Sequence, residues 1–125
     1  MAVPKSVITD AELDVLKALW DHEPEPATAR AITALLYEDV NASALGTVQK
    51  LITRLEAKAL LKRDRSSIPH QFRTTATRED IAGMQLNECA EKLSAGSLSP
   101  FVLHLVQNQK LTKAEREEIM RLLEN

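Results

Sequence analysis

The 125-residue sequence contains one cysteine, three glycines, one tryptophan, one tyrosine and two phenylalanines. A lone Cys89 excludes an internal disulfide and any thiolate metal cluster supplied by one chain, and it fits a reducing compartment. Glycine occurs only at positions 46, 83 and 96, too scattered for a loop that cradles phosphate on successive backbone amides. No apolar run approaches the ~18 residues of a membrane span, and Met1 to Asp10 lacks the charged-then-apolar layout of a secretion signal. The expected location is therefore the cytoplasm, with no membrane partner. His22, His70 and His104 lie far apart without metal-ligand spacing, which predicts no metal and no cofactor. No His-Glu-x-x-His, Gly-x-Ser-x-Gly or paired nucleophile and base is visible, so neither an enzyme nor a small-molecule substrate site is expected.

What is present is aliphatic and unevenly charged. Apolar residues make up 44% of the chain and aromatics 3%, so leucine, isoleucine, valine and alanine must fill the interior, a composition that favours helices. The net charge of −2 hides a segregation. Residues 1–45 hold three basic and eight acidic groups, residues 46–76 seven basic and two acidic, and residues 77–125 six basic and eight acidic. A stripe of net +5 thus interrupts an acidic chain.

Thr9 and Glu12 form the pattern of a capping box and start a first helix, in which Leu13, Leu16, Leu19 and Trp20 recur on one face; Trp20 reads as core. Pro24 and Pro26 cannot continue it. Thr28 caps a short second helix with Ala29, Ile32, Leu35 and Leu36 as its inner face, and polar Glu38 to Asn41 breaks the run. A third helix is expected from Ser43 or Ala44 to about Lys58, with Leu45, Val48, Leu51, Ile52 and Leu55 on one stripe. Opposite that stripe lie Ser43, Gly46, Thr47, Lys50, Thr53, Arg54 and Ala57, a small and basic face without a carboxylate, while Glu56 points elsewhere. Such a face asks for an anionic partner. Leu61 to Arg65 and His70 to Thr74 read as strands of a hairpin joined by Ser66 to Pro69. Short helices followed at once by a basic hairpin are the ordering of a winged helix-turn-helix, with the hairpin as wing.

The remainder is helical. A fourth helix runs from Thr77–Asp80 to Ala95 with Ala82, Leu86, Cys89, Ala90 and Leu93 as its stripe, and Gly96 ends it. Cys89 on this stripe reads as a structural thiol. Phe101 to Val106 is apolar nearly all round and must be buried on several sides. Thr112 and Glu115 form a second capping box, leading to Ile119, Met120, Leu122 and Leu123. Three helices offer a thin core, best completed by the same helices of a second chain in an isologous dimer. The interface expected is Leu86, Cys89, Leu93, Phe101, Val102, Leu105, Ile119, Leu122 and Leu123. The fold class is mainly α with a small β-hairpin: a winged-helix domain over residues 1–76 and a helical dimerisation domain over 77–125.

Ile8-Thr9-x-Ala11-Glu12 with Val15, Leu19 and Trp20, then Thr47-Val48-Gln49 and Arg54-Leu55-x-x-Lys58, and finally Leu98 to Leu111, resemble the penicillinase-repressor family, whose members control beta-lactamase, methicillin-resistance and copper-responsive operons. The resemblance covers nearly the whole chain and implies a homodimeric transcriptional repressor bound to double-stranded palindromic operator DNA. It places the third helix in the major groove. Ser43, Gly46 and Thr47 then lie near phosphates or base edges, and Gln49, Lys50, Thr53 and Arg54 are presented for recognition. Lys58, Lys62, Arg63 and Arg65 become backbone clamps. Half-sites about one helical turn, roughly 34–36 Å, apart suit two such helices held by one C-terminal core.

The sequence departs from the family in four places. Ala59 stands where relatives often carry glycine, so a left-handed cap would be strained and the helix boundary is expected to shift. The hairpin has Ser67-Ile68-Pro69-His70 where relatives tend to carry a Gly-Arg turn. No Cys-x-Cys tail occurs up to Asn125, which disfavours copper sensing. In beta-lactam-responsive relatives a signal-activated protease cuts an Asn-Phe bond in the fifth helix. The matching pair here is His104-Leu105, a difference that argues against release by that regulatory protease. The rival function is a winged-helix adaptor that binds protein and ignores DNA at about 50 mM salt.

Overall fold

The computed structural model describes residues 8–108 and 111–124. The described chain runs α1 (Asp10–His22), β1 (Ala27–Thr28), α2 (Ala29–Leu36), α3 (Ala42–Ala57), β2 (Leu61–Asp64), β3 (Gln71–Thr74), α4 (Arg78–Ser94), α5 (Ser99–Gln107) and α6 (Lys113–Leu123). It is mainly helical, a winged helix followed by helices, as the sequence predicts. Both capping boxes form: Thr9 and Glu12 exchange hydrogen bonds at the start of α1, and Thr112 and Glu115 at the start of α6. Thr28 caps α2 by accepting from the Ala31 amide. The cap of α3 is Asn41, whose Oδ1 accepts from the Ala44 amide at 2.8 Å, so the helix starts at Ala42 rather than at Ser43 or Ala44. Asparagine satisfies an orphan helix donor as well as serine does, and the polar run that ends α2 therefore also begins α3.

The hairpin pairs Leu61 with Thr74 and Asp64 with Gln71. Its returning strand is the centre of a three-stranded antiparallel sheet of order β1-β3-β2, because Ala27 and Thr28 pair with Phe72 and Gln71. Two residues carry no readable alternation, so the sequence gives no sign of β1. The third strand fixes the root of the wing to the helices and buries Phe72 with Val15, Leu16, Leu19, Ile32, Val48, Ile52, Leu55 and Leu61. Trp20 packs against this core and donates from Nε1 to the Ala76 carbonyl at 3.0 Å.

Several expected positions differ. Leu35 is exposed and Thr33 is buried instead, its hydroxyl donating to the Ala29 carbonyl at 2.7 Å. The i, i+3, i+4, i+7 series from Ala29 passes through Ile32, Thr33 and Leu36 and misses Leu35. In α3, Ala44 faces the core and Leu45 is half-buried. In α4, Ile81 is buried where Ala82 is exposed, and of the expected stripe only Ala90 is buried. The end of α3 does not shift. Ala59 adopts φ 61° in a left-handed cap, with the Leu60 amide donating to the Leu55 carbonyl and the Ala59 amide to that of Glu56. Buried Leu55 and Leu60 supply the apolar pair that accompanies such a cap and offset the strain on alanine.

The chain divides into two compact units, one ending at Met84 and the other beginning at Gln85. The division falls inside α4 rather than at 76/77, because Ile81 and Met84 belong to the first unit's core. In the second unit α5, expected to be buried on several sides, has no buried residue within the single chain. No helix among the described residues is long and apolar enough to cross a membrane.

Candidate nucleic-acid interface

The face of α3 away from the core is solvent-exposed. Val48, Leu51, Ile52 and Leu55 point inward, so the helical period turns Ser43, Thr47, Lys50, Thr53 and Arg54 outward with Gln49 beside them, and all six are exposed. The Thr47 hydroxyl donates to the Ser43 carbonyl at 3.1 Å and the Thr53 hydroxyl to the Gln49 carbonyl at 3.0 Å. With their protons directed one turn back, both exposed threonines keep oxygen lone pairs that can accept from a base amine. A Cβ added at Gly46 would meet nothing within 4 Å. The glycine is thus not required by internal packing, although it costs a helix about 1 kcal/mol relative to alanine.

The basic residues beyond α3 separate into two groups. Lys58 and Arg63 turn inward. Lys58 Nζ lies 2.7 Å from Oε1 of Glu12, a carboxylate only 1% exposed. Burial pushes the Glu12 carboxyl up, but the hydrogen bond from Lys58, the Thr9 amide and the Lys58 charge together hold it below the ordinary glutamate value. Arg63 grips Glu56 with both arms of its fork, Nε to Oε2 at 3.0 Å and Nη2 to Oε1 at 2.7 Å. Its Nη1 lies 3.1 Å from His70 Nδ1, and its guanidinium stands 4.7 Å from the Phe72 ring centroid. The Arg63 bond holds the Glu56 carboxyl below its ordinary value and raises the guanidinium further. Arg63 therefore ties the end of α3 to both wing strands.

Lys62 and Arg65 are exposed. Strand alternation puts Lys62 on the sheet face opposite Arg63, directly across from Arg73, whose Nη1 donates to the Pro24 carbonyl at 2.7 Å. Two cations paired across a ladder repel each other, a cost relieved by an anion. The carboxylate nearest the wing tip, Asp64, accepts from both the amide and the hydroxyl of Ser66, and these bonds hold its carboxyl below the ordinary aspartate value. Between the exposed face of α3 and the inner face of the wing runs a groove of about 640 Å³, lined by Arg30, Leu45, Gln49, Thr53, Ile68 and His70 among others. The third helix and the wing tip thus border one concavity.

The residues expected at a dimer interface lie in or next to the second unit. Leu86, Leu93, Val102, Leu105, Ile119, Leu122 and Leu123 are exposed, whereas Cys89 and Phe101 are half-buried. His104 and Leu105 lie within α5, where the Asn108 side chain donates to the His104 carbonyl at 2.8 Å. No group of three or more histidine, cysteine or carboxylate residues suited to a metal ion occurs among the described residues. The partnerships of Lys58 with Glu12 and of Arg63 with Glu56 were not apparent from sequence, because a basic residue reads as a surface charge until its acid is located.

The sequence model of the penicillinase repressor family matches residues 8–125. A penicillinase repressor of Staphylococcus aureus is 28% identical over 123 residues, which cover 98% of this chain and 95% of that protein. A penicillinase repressor of Bacillus licheniformis is 25% identical over 117 residues, covering 94% of this chain and 89% of that protein.

Proposed function

Because the chain belongs to the penicillinase repressor family, a family of transcriptional repressors, we propose that it acts as a homodimer whose two α3 helices enter successive major grooves of a palindromic operator. The observation that carries this reading is the exposed, carboxylate-free face of α3, with Lys50 and Arg54 beside the small residues Ser43, Gly46, Thr47 and Thr53. Arg54 suits the O6 and N7 of guanine by a bidentate fork, and Gln49 suits the N6 and N7 of adenine. Lys62 and Arg65 on the wing carry their charge to phosphates, where it adds affinity without sequence preference. Lys58 and Arg63 hold the reading helix and the wing in place.

The exposed leucines, valine and isoleucine of the second unit support the dimer, since burying each such side chain is worth about 1.5–3 kcal/mol. One winged helix makes few contacts with DNA. Two joined through their C-terminal helices bind as a unit, so separating those helices releases the operator without touching a DNA contact. The test is selection of bound duplexes from the fragmented source genome, with the mass of the complex measured in parallel. The expected result is an enriched dyad, two chains per duplex and affinity that falls steeply between 50 and 200 mM salt. Failure to enrich any sequence, or an equal hold on all fragments, would favour the protein-binding adaptor.

A further inference from the structure

Ile68 is the most exposed large hydrophobic residue described in the chain, at 95%, and it stands in the turn between β2 and β3. The turn is well supported. Asp64 holds Ser66 by two hydrogen bonds, the central strand β3 is paired on both sides, and Arg63 fastens β2 to α3. The exposed isoleucine is therefore presented on a braced hairpin. It borders the same groove as Gln49 and Thr53 of α3, so it faces the side on which the proposed interface lies. Exposed Arg65 stands three residues before it, and the exposed pair Lys62 and Arg73 adds two further cations against the single carboxylate of the wing, Asp64. A cationic setting around one apolar tip fits the minor groove, whose rims are phosphates and whose floor at A·T pairs offers no donor.

We propose that Ile68 is a specificity residue of the wing, which docks in the operator minor groove beside the α3 half-site and selects A·T over G·C pairs there. This rests on the DNA-binding reading above. The discrimination is negative. Guanine projects its N2 amino group into the minor groove, and the butyl side chain of isoleucine has no acceptor for it, so a G·C pair beneath the tip leaves a desolvated donor without a partner. Adenine and thymine carry only acceptors on that edge, and an apolar group can cover them at an A·T step without burying a donor. Exposed side chains able to accept a hydrogen bond, such as asparagine, would remove the difference.

The experiment uses the full-length protein and a duplex enriched by the selection described above. Each A·T pair flanking the major-groove half-site is replaced in turn by G·C and by inosine·C. Inosine·C keeps the major-groove edge of G·C but lacks the N2 amino group. At the position beneath the tip, G·C should weaken binding roughly five- to tenfold, the scale of one unpaired donor, while inosine·C should change it less than about twofold. Ile68→Asn should bind the G·C and inosine·C duplexes alike, and Ile68→Ala should weaken binding to the A·T duplex, both with unchanged thermal unfolding. Equal binding of G·C and inosine·C by the unaltered protein at every flanking position overturns the proposal. So does an Ile68→Ala variant that binds as tightly as the parent, which would point to a protein partner for the tip. Absence of any enriched duplex is a different failure, that of DNA binding itself.

Discussion

Lys58 Nζ and the Thr9 amide converge on the same oxygen of Glu12, at 2.7 and 2.9 Å. One carboxylate therefore closes the N-terminal cap of α1 and holds the C-terminal end of α3, the helix that carries the proposed reading face. Glu12 holds the N3 position of a capping box, a local role, and its partner Lys58 lies 46 positions away. The residue that caps the first helix also anchors the end of the third.

Replacing Glu12 with glutamine leaves the Lys58 ammonium beside a neutral amide and should cost about 2–3 kcal/mol at pH 7. Because the folded carboxyl lies below its ordinary value, the stability it supplies is fully present above the unfolded glutamate pKa of ~4.3 and fades as pH falls through the folded value. Urea unfolding followed by Trp20 fluorescence should thus show parent and variant far apart at pH 7 and drawing together as the pH is lowered from about 4.3. A constant gap across that range would contradict the assignment.

Ala59 holds a left-handed conformation in which its Cβ crowds the following carbonyl. Ala59→Gly relieves that strain but makes the unfolded chain more flexible, and the net expectation is a gain of about 0.5–1 kcal/mol. Denaturant unfolding of the variant gives the sign directly.

Gly46 offers a prediction in which stability and binding move in opposite directions. Open space surrounds its missing side chain, so Gly46→Ala should stabilise α3 by about 0.5–1 kcal/mol. If a DNA backbone or base edge approaches there, the same methyl should lower operator affinity. A variant that is both more stable and tighter-binding would show that α3 meets DNA elsewhere.

Arg63 and Glu56 should behave as one unit. A double-mutant cycle with Arg63→Ala and Glu56→Ala should give a coupling energy of about 1–2 kcal/mol in stability. Glu56→Ala releases a guanidinium, and a phosphate clamp would then bind duplex more tightly. An anchor for the wing would bind less tightly, and that is the outcome expected from its contacts with His70 and Phe72.

The elements that could be read from sequence are those set by local chemistry. Thr9 with Glu12 and Thr112 with Glu115 announce their helices within four residues, and the stripe of Val48, Leu51, Ile52 and Leu55 orients α3 without knowledge of its neighbours. What escaped reading depends on distant partners. Ala27–Thr28 is a strand only because β3 lies beside it, and Ile81 rather than Ala82 faces inward because the first unit's core extends that far along α4. Thr33 reads as polar and surface-bound until its hydroxyl finds the Ala29 carbonyl. Within the candidate site, the exposed face of α3 follows from helical period, whereas the inward turn of Lys58 and Arg63 required the positions of Glu12 and Glu56.

The most direct measurement is a fluorescence-anisotropy titration of one enriched duplex and one scrambled duplex at fixed salt, with the parent protein and with Lys50→Glu/Arg54→Glu. The parent should prefer the enriched duplex by about 10³-fold or more, and the charge reversal should abolish that preference while the protein stays folded and dimeric. Unchanged preference in the reversed variant would contradict the account, because the outward face of α3 would then not be what the DNA meets.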